Sequence, residues 1–234
     1  WIAGLQLTAI TLQNKKNVSE FIRSIAGDSR YIMDYLLEEI LNNLDDETHL
    51  FLLKSSVFER LSGPLCNAAL KRNDSQKVLE SLEKNNLFII SLDDERKWFR
   101  YHHLFSDLLQ KRLIFGHKEK IPELHNNASL WFEANDMPLF AIEHALKAGN
   151  NKKGLKLLEG IADQMLESSQ YAAILKFASL FAEQEIIDSY KFGISYAWTL
   201  TITGSLEKAE NYLKKLESKL LKDIDSQTPH NYLS

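Results

Sequence analysis

The stretch from Asn85 to Leu113, NNLFIISLDDERKWFRYHHLFSDLLQKRL, decides the fold. Leu87 to Leu92 is apolar but for Ser91, Asp93-Asp94-Glu95-Arg96-Lys97 is a charged turn, and Trp98 to His102 alternates aromatic with basic residues. Two such runs around a turn predict a β-hairpin. Leu104, Phe105, Leu108, Leu109, Arg112 and Leu113 then recur at helical spacing, so the hairpin feeds straight into a helix. A lone two-stranded hairpin is marginal in water. It needs helices packed on its apolar face.

The residues before the hairpin supply them. Tyr31, Ile32, Tyr35, Leu36 and Ile40 make one face of a helix over about 30–43. Asp45 caps the next helix, with Leu50, Leu53 and Val57 expected inward. Gly63-Pro64 opens a third, proline being tolerated in a first turn. Asp74 or Ser75 caps a fourth, holding Val78, Leu79 and Leu82. Short helices, a terminal hairpin and a closing helix are the layout of a winged helix. Further upstream, Ile2, Leu5, Ala9 and Leu12 predict a helix over 1–13, and Asn17-Val18-Ser19-Glu20 has the form of a capping box before a short helix ended by Gly27.

From Ile121 the chain changes character and repeats. Ala141, Leu175 and Ala209 occupy corresponding places about 34 residues apart, and Gly149-Asn150-Asn151 and Ile187-Asp188 mark turns between hairpins. The predicted helices cover 121–134, 138–148, 151–167, 171–183, 188–203 and 205–222. Six helices in pairs at that period are the arithmetic of a tetratricopeptide-like α–α superhelix. The predicted class is therefore mainly α: a winged-helix domain, short helices plus one β-hairpin, followed by tetratricopeptide-like repeats.

Composition narrows the function. The net charge of −4 lacks the basic footprint of a nucleic-acid binder. The helix before the hairpin, Ser75 to Lys84, which would lie in the major groove of a DNA-reading winged helix, carries charges that cancel. A single cysteine, Cys66, excludes an intrachain disulfide and a cysteine-cluster metal site. No apolar run approaches the ~20 residues that span a bilayer. We expect a soluble cytoplasmic protein that does not engage membrane. Because the sequence opens inside an apolar helical pattern at Trp1-Ile2, without an initiator Met, we expect a piece of a longer chain.

Catalytic motifs are missing from the sequence: no phosphate-cradling glycine loop, nucleophile elbow or HExxH occurs. We expect no enzyme, no catalytic residue and no metal site. Asp93-Asp94-Glu95 reads as a hairpin turn. One polar cluster stands out at the end of the second strand. Alternation puts Trp98, Arg100 and His102 on one face and Phe99 and Tyr101 on the other. With Phe99 and Tyr101 in the core, Arg100 and His102 are presented together, and a guanidinium beside an imidazole receives a phosphate through charge-assisted hydrogen bonds. The alternative is a surface arginine beside a helix-start histidine.

Trp1-Ile2-Ala3-Gly4-Leu5-Gln6-Leu7, Leu61-Ser62-Gly63-Pro64-Leu65-Cys66, and above all Leu92-Asp93-Asp94-Glu95-Arg96-Lys97-Trp98-Phe99-Arg100-Tyr101-His102-His103-Leu104-Phe105 resemble the MalT-like, LuxR-type ATP-dependent transcriptional activators, within the class of signal-transducing ATPases. Leu124 to Leu146 looks like the start of that family's helical-repeat sensor. The resemblance implies three regions. Residues 1–28 would end a helical domain that follows a nucleotide-binding domain, 29–115 would be the winged helix, and 121–234 would begin the sensor. It also implies that His102 touches ADP in the resting parent protein, and Arg100, beside it on the strand face, would add a phosphate contact there. ATP and ADP would bind the parent, and no cofactor would bind this segment alone. A small-molecule effector or protein partner would bind the repeats, the activated parent would self-associate, and DNA would be reached only through a separate C-terminal domain. Tyr101-His102-His103 stands where the class often has Met-His-Asp, and Gln6 where many members have proline. The alternative function is a tetratricopeptide-like interaction scaffold without a nucleotide switch.

Overall fold

The computed structural model describes residue 41 and residues 44–227, with side chains through 224. The helices expected at 1–13 and 17–27, and most of 30–43, lie outside the described residues. Two compact units divide at Trp131 and Phe132.

In the first unit, α1 (Asp46–Ser55) starts where Asp45 accepts a 2.8 Å bond from the Thr48 amide. Its buried side chains are Phe51, Leu52 and Leu53, while Leu50 is 38% exposed and Val57 only half-buried. Of the expected inward set, Leu53 is buried while Leu50 and Val57 turn partly outward. A ten-residue helix has too few turns to fix its phase when Leu50 to Leu53 is continuously apolar. Helix α2 (Gly63–Leu70) opens with Ser62 accepting from the Leu65 amide and Pro64 in the first turn. Helix α3 (Ser75–Lys84) follows Asp74, whose carboxylate is held by Arg72 at 2.6 Å and makes no cap bond. Gly63 permits α2 and α3 to approach: an added Cβ would stand 2.7 Å from the Gln76 Cβ.

The hairpin is β1 (Ile89–Ser91) and β2 (Phe99–Tyr101), antiparallel, with Ile89 opposite Tyr101, Ile90 opposite Arg100 and Ser91 opposite Phe99. Asp93 organises the turn. Its carboxylate accepts from the amides of Lys97 at 2.9 Å and Trp98 at 2.8 Å, which holds it below the usual carboxylate range. A third strand position, not visible in the sequence, joins on the other side of β2. Leu61 and Phe99 exchange two 2.8 Å backbone bonds. One isolated bridge leaves no alternating pattern to read.

Helix α4 (His103–His117) closes the unit, burying Phe105, Leu109 and Leu113. Phe51, Phe99, Phe105, Leu52, Leu61, Leu65 and Leu79 form a core with almost no solvent exposure. Inside it, the Ser55 and Tyr101 hydroxyls meet at 2.7 Å. After a short 3-10 turn, α5 (Ile121–Ala134) begins in this unit. Glu123 pairs with Lys71 at 2.6 Å, the Asn127 amide donates to the Ala69 carbonyl, His125 sits edge-on to Phe58, and Trp131 edge-on to Trp98.

The second unit contains α6 (Pro138–Lys147), α7 (Asn151–Glu167), α8 (Tyr171–Ala178), α9 (Glu183–Asp188), α10 (Tyr190–Ile202) and α11 (Leu206–Gln227). Helix α7 packs on α6 before it and on α10 after it, and α10 packs on α11. Gly149 and Gly204 turn the chain with φ of +75° and +81°. Ala141 and Ala209 are buried as their corresponding places require, whereas Leu175 is only half-buried and Ile174 takes the interior. The single helix expected over 171–183 is broken at 179–182 and restarts as α9. Glu185 in α9 accepts from the Ala182 amide at 2.8 Å and from the Asn151 side chain at 3.1 Å. That cap depends on a partner 34 residues away, which local periodicity does not see.

Candidate functional site

The hairpin sorts its side chains as alternation requires. Phe99 and Tyr101 are buried, Arg100 is exposed and His102 is half-buried. His102 is the extended N-cap residue of α4, with no side-chain cap bond and no acid in the first turn. The first turn of this 15-residue helix itself carries no carboxylate to compete for its opening amides, which suits an incoming anion. The His102 and His103 rings lie 4.4 Å apart at 33°. Burial, then the His103 and Arg100 charges, push the His102 imidazole below its ordinary value. At neutral pH it is an uncharged donor and acceptor beside a permanent cation.

Local backbone fixes its position. The His102 amide donates at 2.7 Å to the carbonyl of Phe88, a buried residue with φ of +54° whose ring packs on Phe105 at 5.5 Å. A bulky residue in the left-handed region stores strain, and such strain concentrates where geometry is being held for a purpose. Among the described residues, no group of three or more His, Cys, Asp or Glu could hold a metal ion.

The helix that would read DNA is stapled to its own wing. In α3, Gln76 donates to the Arg96 carbonyl at 3.0 Å and to Glu80 at 2.8 Å, and it accepts from the Gly63 amide. Glu83 pairs with Arg96 at 3.2 Å. Gln76, Glu80 and Glu83 thus give one face of α3 to contacts within the unit, and the acids on it offset the exposed Lys77 and Lys84 that a major-groove reader would use.

The second unit holds a feature that sequence reading missed. A cleft of about 240 Å³ lies between α8, α9, α10 and α11, with Tyr212 in its wall. Helical periodicity marks Tyr212 as an inward position three residues after Ala209. It carries no signal that the hydroxyl lacks a partner, because that depends on the neighbouring helices.

Comparison with known proteins bears on both units. Residues 37–121 match the family described as the MalT winged helix domain. The chain is 30% identical over 224 residues to the serine/threonine-protein kinase PknK of Mycobacterium tuberculosis, covering 93% of this chain and 20% of that protein. It is 29% identical over 228 residues to the HTH-type transcriptional regulator MalT of Klebsiella pneumoniae, and 27% over 227 residues to that of Cronobacter sakazakii, covering 25% of each. The chain thus spans a fifth to a quarter of the length of these relatives.

Proposed function

Given a chain that is MalT-like and carries a MalT winged-helix domain at 37–121, we propose that it is the regulatory middle of an ATP-dependent, LuxR-type transcriptional regulator. Signals received on the helical array would bias a nucleotide switch through the wing. The observation that carries this reading is the pairing of Arg100 with His102 on one strand face, at the uncapped start of α4. Guanidinium, imidazole and helix amides together make a receptor for the phosphates of ADP. The same segment aligns with a protein named for kinase activity and with proteins named for transcriptional regulation. A segment common to different outputs fits a shared control function, and coupling needs only that effector and nucleotide favour different arrangements of the parent.

The test is ADP affinity of the natural full-length protein with His102→Ala. Losing a hydrogen bond to a charged group costs about 1.5–3 kcal/mol, so ADP should bind about ten- to a hundredfold more weakly. An arriving phosphate favours the protonated imidazole, which the free site holds below its ordinary value, so the wild-type protein should also bind ADP more tightly as pH is lowered from neutral, and the variant should lose that share of the dependence. Unchanged affinity and an unchanged pH profile would remove His102 from the site.

One observation favours a scaffold instead. Ile194, Trp198 and Ile202, four residues apart on α10, are 60%, 60% and 47% exposed, a stripe suited to a protein partner. In that reading His102→Ala leaves nucleotide binding untouched, while Trp198→Ala abolishes partner capture.

A further inference from the structure

The cleft between α8, α9, α10 and α11 joins an apolar floor to a polar rim. Phe181, Ile186 and Leu200 are 7%, 3% and 5% exposed and supply the floor. Lys208, Asn211 and Tyr212 supply the rim from α11, at spacings of three and four residues that place them on one helix face. Glu183, also at the rim, is neutralised by Lys215 at 2.7 Å. Lys208 has no carboxylate partner among the described residues. It stands in the first turn of α11 next to Glu207, whose carboxylate already answers the helix terminus, so the pull on an anion comes from the Lys208 ammonium.

Tyr212 gives the independent sign of a ligand. The residue is 5% exposed, yet its hydroxyl has no hydrogen-bond partner among the described residues. Burial foremost, then Glu183 and Tyr196, push its ionisation well above the ordinary phenol range, so it stays a proton donor. The Tyr196 ring, half-buried and lining the same cleft, stands edge-on to it at 5.2 Å. Solvent does not reach the hydroxyl. Both rings line the cleft, and Tyr196 belongs to α10, the helix in contact with α7 and α11.

We propose that this cleft binds a small organic carboxylate with an apolar body. Lys208 pairs with the carboxylate and Asn211 donates to it. The apolar body covers Phe181, Ile186 and Leu200, and a second oxygen of the ligand accepts from Tyr212. A single uncompensated cation suits a monoanion better than a phosphate dianion, which recruits several donors or a guanidinium fork. At about 240 Å³ the cleft lies below the usual 300–1,000 Å³ of ligand sites, which favours a small metabolite over a nucleotide or peptide. The assignment rests on the reading of the helical array as the side that receives the effector, and gives that effector a chemical class.

Calorimetric titration of the 234-residue chain tests it without nucleotide, so its outcome is separate from that of the ADP experiment. The probes are 4-hydroxyphenylacetate, its neutral amide, and phenyl phosphate. The carboxylate should bind with Kd of about a millimolar or tighter, and the amide about tenfold more weakly. Lys208→Gln should cost about tenfold and Tyr212→Phe about three- to tenfold. Lys208 is exposed, so its replacement leaves the fold intact. No carboxylate binding, equal affinity for acid and amide, undiminished binding by Lys208→Gln, or tighter binding of phenyl phosphate would each overturn the assignment.

Discussion

Two buried tyrosines divide the molecule. Tyr101 and Tyr212 are 6% and 5% exposed, each in contact with another aromatic ring. In the wing, the Tyr101 hydroxyl is matched by Ser55 at 2.7 Å, and Ser55 is anchored in turn to the Phe51 carbonyl at 2.7 Å. In the helical array the Tyr212 hydroxyl is shielded from water and meets nothing among the described residues. A buried polar group that is satisfied rigidifies a core, whereas one left open is a defect unless something else completes it. The comparison assigns the two regions different work. The wing satisfies its buried hydroxyl internally, and among the described residues the array does not.

The largest test removes what encloses the satisfied tyrosine. Phe105 is fully buried against Tyr101 and Phe88, so Phe105→Ala should destabilise the first unit by about 3–5 kcal/mol in urea melts. A smaller effect comes from making the two tyrosines alike. Ser55→Ala leaves the Tyr101 hydroxyl orphaned and should cost about 1–3 kcal/mol, whereas Tyr212→Phe, which deletes an already orphaned group, should be neutral or stabilising by up to about 1 kcal/mol. Equal losses from both would erase the distinction.

The smallest effect is on pH. His49 and His102 both lie below the ordinary histidine value, burial being the first cause in each. Folded pKa below unfolded pKa means the unfolded chain binds more protons, so stability of the wing should fall as pH drops through about 6.5. Asp93, also lowered, contributes stability present above its unfolded value of about 4 and lost below it. Replacing both histidines by Asn should flatten the first step and leave the second.

Legibility in the sequence follows the range of the interactions. The hairpin, the inward Phe99 and Tyr101 and the outward Arg100 follow from period-two alternation within a dozen residues, and His102, half-buried, stands one residue past the strand. The helices over 121–134 and 151–167 coincide with the expected bounds because their apolar stripes are long enough to fix phase. The break after Ala178 was hidden, since Asn151 and Glu185 must be adjacent in space before Ala182 becomes a cap. The Leu61 bridge was equally silent. The Arg100 and His102 candidate could be put forward from alternation along one strand, whereas the Tyr212 cleft needs four segments, and no spacing in the chain announces it.

The Leu61 bridge has one more consequence. With Ile89 to Ser91 along one side and Leu61 along the other, β2 has neighbours on both flanks, and the outer margin of the sheet falls to a strand of three residues. Exposed strand margins template pairing with foreign chains, so shortening one and covering the other protects against fibril growth. The aromatic Trp98-to-Tyr101 segment, rich in residues prone to cross-β stacking, is thereby sequestered as long as Leu61 holds its place.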